Sequence, residues 1–164
     1  MWVKKIYIAG PDVFKKDSIK IGKSYVELSA SYGFKGCYPL DNIIDFKQEK
    51  KKIAMDIFVA NKNLIDSCDI VIANLNAFRG KEADSGTIWE CGYAFAKGKV
   101  VYGYMEKTCD YIDNFSSLKE QGGLFFDENE NFVEDFSHPI NLMIACSTLE
   151  IVEGGFEDVL KLLK

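Results

Sequence analysis

The chain has 164 residues and a net charge of −5, and 48% of its residues are hydrophobic. This length and composition predict one globular domain over residues 1–164, with a substantial core and no second domain. The acidic charge argues against a nucleic-acid-binding surface, and no apolar run approaches the roughly 20 residues that a membrane-spanning helix requires.

Apolar periodicity predicts an alternation of strands and helices along the chain. The predicted strands are residues 5–9, 34–38, 69–74, 99–105 and 149–152. The predicted helices are residues 18–32, 47–67, 87–97, 139–145 and 156–163. The third strand is continuously apolar, as expected of a strand that is buried on both faces. Short connections between the elements indicate a parallel sheet with helices on both of its faces.

Residues 106–138 interrupt this alternation and show no clear periodicity. The pair Gly122-Gly123 and the acidic stretch 127–131 are typical of turns. We therefore predict a loop that contains a small hairpin around the acidic turn, as an excursion from the single domain.

The stretch from Asp84 to Gly98 combines helix signals with two carboxylates. Thr87 and Glu90 form the S/T-x-x-E pattern of a helix capping box, and Gly98 is placed to end the helix. Taken alone, this pattern favours plain helix capping. Asp84 adds a second carboxylate just before the helix, and the small residues that follow Glu90 leave room for a ligand. We also expect the helix dipole to hold Glu90 ionised, which suits a nucleophile.

The predicted topology brings this stretch to an edge of the sheet where ligands bind. In a five-stranded parallel sheet of order 2-1-3-4-5, ligands collect beyond the carboxyl ends of strands 1 and 3. That edge gathers residues 7–14, the loop after Asn74, and the helix start with Asp84 and Glu90. The glycine-rich patterns that cradle phosphates do not occur in the sequence, which disfavours a dinucleotide cofactor.

Four motifs, taken in this order, resemble the nucleoside 2-deoxyribosyltransferase family. They are Tyr7–Phe14, Pro39–Asn42, Asp84–Ala94 and Pro139–Met143. The resemblance spans nearly the whole chain and implies a flavodoxin-like, doubly wound α/β fold of three layers. It also implies exchange of the base on a 2′-deoxynucleoside without a cofactor, in a homo-oligomer whose sites are shared between subunits. The implied ligands are a deoxynucleoside and a free nucleobase.

The resemblance further implies roles for individual residues. Glu90 matches the family's nucleophile, Asp84 its carboxylate that binds and protonates the base, and Tyr7 the tyrosine that steadies the nucleophile. Asn141 matches an asparagine that contacts the sugar in a neighbouring subunit's site. Asn61 stands where several members carry a second base-binding aspartate, so proton donation would rest on Asp84 alone and the base preference stays open. The substrate-binding candidates are Gly10, Phe14, Asp41, Asn61, Gly86, Asn141 and Met143.

The proposed chemistry also follows from general principles. Cleavage of an N-glycosidic bond develops oxocarbenium character, which a carboxylate such as Glu90 can stabilise and then trap covalently. The departing base needs a proton, which Asp84 could deliver. Structural roles stay open beside the functional ones: Asp84 as a helix cap, Tyr7 as a core residue, Phe14 as a staple for the next helix, and Asn141 as a helix start.

Two other functions stay open. The first is N-hydrolysis of 2′-deoxynucleoside 5′-monophosphates, which needs a phosphate pocket. Candidate donors for that pocket are Arg79, Lys81, Ser85 and Thr87. Asp12, in the turn after the first strand, argues against a phosphate there. The second alternative is a non-catalytic nucleotide-sensing domain on the same scaffold.

The five cysteines are scattered without a C-x-x-C pair, and His138 is the single histidine. This pattern predicts free thiols in a reducing compartment and no zinc site. We therefore expect a cytoplasmic protein without a bound metal.

Overall fold

The structure is a computed structural model that describes residues 3–164. Its strands are β1 (Lys5–Ala9), β2 (Lys35–Cys37), β3 (Ile70–Asn74), β4 (Val100–Met105), β5 (Lys119–Gln121), β6 (Leu124–Phe126), β7 (Phe132–Val133) and β8 (Glu150–Glu153). Its α-helices are α1 (Ser18–Ser31), α2 (Lys50–Ser67), α3 (Ser85–Ala96), α4 (Leu142–Ser147) and α5 (Phe156–Leu162). Within the described residues, no helix is both long enough and apolar enough to cross a membrane.

Five strands form one parallel sheet in the order β2-β1-β3-β4-β8. This order confirms the predicted α/β fold and the predicted topology 2-1-3-4-5. All residues of β3, the central strand, are buried, as its continuous apolar sequence predicts. Ala9, the last residue of β1, pairs with Ala73 of β3. The loops after these two strands therefore leave the sheet side by side.

The two faces of the sheet carry separate cores. Successive side chains of a strand point to opposite faces, so Tyr7 packs in one core and Ile6 and Ile8 in the other. The first core also contains Cys91 of α3 and is covered by α2, α3 and α4. The second contains Phe156 of α5 and is covered by α1 and α5. The side chain of Tyr7 thus points toward α3.

Residues 106–138 form a small antiparallel sheet in the order β5-β6-β7. The predicted hairpin around the acidic turn is confirmed, and a third strand is added to it. Asp127 explains that turn, because its Oδ1 accepts hydrogen bonds from the backbone nitrogens of Asn129 and Asn131, both at 2.9 Å. The acidic stretch is therefore ordered by one local side chain.

Three predicted helix starts are wrong. Helix α2 begins at Lys50 instead of at residue 47. The N-cap of α3 is Asp84, whose Oδ2 accepts a hydrogen bond from the backbone nitrogen of Thr87 at 2.9 Å. Thr87 therefore lies inside the first turn, and the predicted Thr87–Glu90 capping box does not form. The short helix α4 begins at Leu142 after its N-cap, Asn141, instead of at Pro139. Gly98, with φ of +70°, follows α3 and confirms the predicted end of that helix.

Candidate active site

A cavity of about 610 Å³ lies beyond the carboxyl ends of β1 and β2, beside the start of α3. Its polar lining residues are Ser18, Asn42, Asn61, Asp84, Thr87 and Glu90. Its apolar lining residues are Val13, Phe14, Ile19, Pro39, Leu40, Ile44, Phe46 and Ile57. An apolar cleft with a few convergent polar groups is typical of a site for a small organic ligand.

Glu90 is hydrogen-bonded to Tyr7 at this cavity. The Tyr7 hydroxyl donates to Oε1 of Glu90, and the Tyr7 side chain is fully buried. Because β1 aims Tyr7 at α3, the carboxylate is held from the sheet side while Glu90 still lines the cavity. Two residues that are 83 positions apart in the chain are thus paired.

Burial sets the acidity of both partners. It raises the pKa of Glu90 from 4.5 to about 7; the Tyr7 hydrogen bond opposes this rise and the Asp84 carboxylate adds to it. Burial and the neighbouring Glu90 raise the pKa of the Tyr7 phenol well above its usual range, so the phenol stays protonated and donates. The expectation that the helix dipole holds Glu90 ionised is therefore wrong, because desolvation outweighs the dipole in the second turn of α3.

Asp84 serves as a helix cap and also lines the cavity. Its Oδ2 accepts from the backbone nitrogen and from the hydroxyl of Thr87, both at 2.9 Å. Among residues 3–164, no hydrogen bond to the other oxygen, Oδ1, is formed. A Cβ at Gly86, which also lines the cavity, would lie 3.2 Å from Asp84 Oδ2. Glycine at that position therefore leaves the capping carboxylate uncrowded.

Asn61 lines the cavity as part of an amide pair with Asn42. The Asn42 Nδ2 donates to the Pro39 carbonyl at 2.9 Å and to Asn61 Oδ1 at 3.0 Å. Because the Pro39 carbonyl can only accept, it fixes the orientation of both amides and leaves Asn61 Nδ2 as a free donor. Asp41 does not line this cavity; it is exposed and accepts from the backbone nitrogen of Tyr38 at 3.3 Å. Sequence reasoning missed Asn42, although it lies in the same motif.

The turn after β1 supplies one wall of the cavity. Gly10 approaches β3 so closely that a Cβ there would lie 2.8 Å from the Cβ of Asn74, so the position requires glycine. Phe14 is 58% exposed at the rim and stacks on Phe78, with ring centroids 5.6 Å apart. The guanidinium of Arg79 lies 5.2 Å from the Phe14 ring centroid. Phe14 therefore packs against the loop before α3.

Asn141 and Met143 do not line the Glu90 cavity. The Asn141 Oδ1 accepts from the backbone nitrogen of Met143 at 3.0 Å, as expected of an N-cap. The Met143 side chain is 72% exposed. Met143 therefore lies at the surface, and Asn141 is half-buried beside it, away from the Glu90 cavity.

Comparison with known proteins gives separate evidence on the family of this chain. The family model described as nucleoside 2-deoxyribosyltransferase matches residues 6–143. The structure is similar to a 2-desoxiribosyltransferase from Leishmania mexicana, with a TM-score of 0.75, 31% identity, and coverage of 96% of this chain and 97% of that one. It also shares its fold with a 2-deoxyribosyltransferase from Bacillus psychrosaccharolyticus, with a TM-score of 0.61, 21% identity, and coverage of 95% and 90%.

One curated relative, an uncharacterized protein of Schizosaccharomyces pombe, is 28% identical over 119 residues, which are 71% of this chain and 56% of that protein. The chain therefore spans little more than half the length of that relative. The match of the family model extends over most of the chain, from β1 through the start of α4. Together with the fold and the cavity, it identifies the chain as a member of the nucleoside 2-deoxyribosyltransferase family.

Proposed function

We propose that the protein transfers a 2-deoxyribosyl group between nucleobases through a covalent intermediate on Glu90. The observation that carries this proposal is the Tyr7–Glu90 hydrogen bond at a ligand-sized cavity that Asp84 also lines. The Tyr7 phenol contacts Glu90 from within the core, so it can orient the carboxylate without occupying the space in the cavity that a ligand would fill. Glu90, with a pKa of about 7, is a better nucleophile than an ordinary carboxylate and is partly ionised at neutral pH.

The reaction has two displacements. In the first, a Glu90 oxygen bonds to the anomeric carbon, the bond from that carbon to the base nitrogen breaks, and Asp84, in its protonated form, gives its proton to the departing base. In the second, a nitrogen of the incoming base bonds to the anomeric carbon, the ester to Glu90 breaks, and the proton returns to Asp84. Two inversions at one carbon give net retention. Protons and electrons balance without a cofactor.

The lining of the cavity supports a nucleoside over a nucleotide. Phosphate is bound by charge-assisted donors, chiefly Arg and Lys, and none lines this cavity among the described residues. Arg79 stacks on Phe14 and Phe78, and Lys81 lies 4.1 Å from the ring centroid of Phe115. These observations weigh against hydrolysis of nucleoside monophosphates.

Asp12 gives no independent argument against a phosphate ligand. It does not line the Glu90 cavity; its Oδ1 pairs with Lys15 Nζ at 2.7 Å, and its Oδ2 accepts from Asn74 Nδ2 at 3.0 Å. The paired carboxylates and the Tyr7 hydrogen bond weigh against a non-catalytic sensing domain, because ligand binding alone does not call for an oriented nucleophile of raised pKa.

The proposal includes a homo-oligomer in which Asn141 of one subunit contacts the sugar in the site of another. The position of Asn141 supports this part of the proposal, because it lies outside its own subunit's cavity. An exposed methionine two residues later is suited to a contact between subunits.

The test is the substitution Glu90→Gln, assayed by incubating deoxyinosine with adenine and measuring deoxyadenosine. An amide can still accept the Tyr7 hydrogen bond, but it cannot form the glycosyl ester, so we expect transfer to fall by about 10³-fold or more. Mass spectrometry of the unmodified enzyme with deoxyinosine alone should show a deoxyribosyl adduct on Glu90.

A matched control exists in the chain. Glu82 also accepts a hydrogen bond from a tyrosine hydroxyl, that of Tyr111, but it does not line the cavity. Glu82→Gln should therefore retain normal transfer. Near-normal transfer by Glu90→Gln would overturn the proposed mechanism.

A further inference from the structure

Glu134 holds the start of α4 with both of its carboxylate oxygens. Its Oε1 accepts from Asn141 Nδ2 at 2.6 Å, and its Oε2 accepts from the backbone nitrogen of Leu142 at 2.8 Å. Glu134 lies just after β7, so it comes from the small antiparallel sheet. The excursion over residues 106–138 thus contacts the segment that matches the family's shared asparagine.

The contact fixes one orientation of the Asn141 amide. Its Nδ2 faces a carboxylate, which can only accept, and its Oδ1 faces the backbone N–H of Met143, which can only donate. A flipped amide would place oxygen against oxygen and N–H against N–H. One Nδ2 hydrogen and one Oδ1 lone pair remain available to a ligand.

We propose that Glu134 is a positioning residue that orients Asn141 toward a sugar hydroxyl of the deoxynucleoside bound in the neighbouring subunit. This inference rests on the proposed function, and in particular on the role given there to Asn141. A hydroxyl both donates and accepts, so an amide of fixed orientation can meet it with one group of each kind. Pre-orientation lowers the entropy lost when the sugar binds.

The carboxylate at Glu134 cannot be replaced by an amide. Both of its partners are donors, so the Nε2 of a glutamine would face an N–H group. Either that N–H of Leu142 loses its acceptor, or Asn141 turns away from its orientation. Glu134→Gln should therefore reduce kcat/KM for deoxyinosine by roughly 5- to 100-fold, which corresponds to one unpaired donor in a partly buried site. The change should lie mainly in KM, because sugar binding is weakened while Glu90 is untouched.

A double-mutant cycle separates positioning from plain helix capping. The cycle uses Glu134→Gln, Asn141→Ala and the double variant, with deoxyinosine and adenine as substrates. If Glu134 acts through Asn141, the double variant should transfer within about twofold of Asn141→Ala alone. If Glu134 only stabilises the fold, its effect should be present in full in both backgrounds, and the inference is overturned.

A matched control and a second readout accompany the cycle. Glu153 also accepts two hydrogen bonds, from the nitrogen and the hydroxyl of Thr108 at 3.0 and 2.8 Å, at the end of β8. Glu153→Gln should leave kcat/KM unchanged. If Glu134→Gln unfolds the protein, Glu134→Asp, which keeps two acceptors, should fold and give a KM between those of the unmodified enzyme and Asn141→Ala.

The outcomes for the two proposals are distinct. Failure of the unmodified protein to transfer deoxyribose would overturn the proposed function and this inference together. Normal transfer by the unmodified protein, with a kcat/KM for Glu134→Gln within twofold of it or with additive effects in the cycle, would overturn this inference alone.

Discussion

Burial raises the pKa of Glu90 from 4.5 to about 7, which links the charge of this side chain to folding stability. Below about pH 4.5 the carboxyl is protonated in both the folded and the unfolded chain, so no penalty arises. As the pH rises toward 7, the unfolded chain loses this proton first, and the free energy of unfolding falls. Above about pH 7 the penalty is complete and amounts to at most about 3 kcal/mol.

Glu90→Gln should therefore stabilise the protein at pH 8 relative to the unmodified chain, and the gain should shrink toward pH 5. In parallel, kcat/KM of the unmodified enzyme should rise with pH up to about 7, because the nucleophile acts in its ionised form. Thermal unfolding at both pH values and a pH–rate profile measure the two effects. A Tm difference that is the same at pH 5 and pH 8 would contradict the coupling, and Glu82→Gln is the control.

At the scale of single residues, location was easier to predict than environment. Glu90, Asp84 and Asn61 all line the cavity, and their catalytic and binding roles stay predictions. The raised pKa of Glu90 was not predictable, because it depends on burial by elements distant in the sequence. Asn42 was missed for a similar reason, since its importance comes from a hydrogen bond to Asn61 on α2.

At the scale of elements, Asp84 caps the N-terminus of α3 and is also the proposed proton donor. Asp84→Asn keeps a side-chain oxygen that can accept from the nitrogen of Thr87, so stability should change by less than about 0.5 kcal/mol. Asp84→Ala removes the cap and should cost about 1 kcal/mol. Both variants lack the proton donor and should lose roughly 10²- to 10⁴-fold in transfer.

Chemical denaturation and the deoxyinosine assay measure these two properties of the Asp84 variants. Substantial transfer by Asp84→Asn would reduce Asp84 to a helix cap. A large loss of stability in that same variant would instead show that the carboxylate charge at the N-terminus of α3 is needed for folding.

The strands β1, β3 and β4 were predictable because each is a short apolar run. The strands β2 and β8 are less apolar and were predictable mainly from the turn residues that follow them, Pro39 and Gly154-Gly155. The start of α3 was not, because Asp84 and Thr87 are both good caps and the direction of one hydrogen bond decides between them. The strand β7 has only two residues, Phe132 and Val133, and is too short to show an alternation of apolar and polar residues. Its pairing with β6 becomes visible only in the fold.

At the scale of the whole molecule, the proposed sharing of sites predicts complementation between inactive variants. Glu90→Gln lacks the nucleophile and Asn141→Ala lacks the sugar contact, but a mixed dimer contains one site in which both residues are intact. Random mixing in equal amounts should restore about a quarter of the activity of the unmodified enzyme. Co-expression with two affinity tags, followed by the transfer assay, measures this. Activity no greater than the sum of the separate variants would mean that Asn141 does not act across subunits.

Asp84 and Glu90 lie on the same helix, with Asp84 at its N-cap. Six positions along an α-helix separate their Cα atoms by about 9 Å along its axis. Both residues belong to the single helix α3 and its cap, so relative motion of the sheet and the surrounding helices does not alter the distance between their Cα atoms. In the substrate, the distance from the anomeric carbon to the base nitrogen that receives the proton must therefore fit this fixed separation of Asp84 and Glu90. Thermal motion of the fold can change how often a substrate enters, but that length persists until α3 itself unwinds.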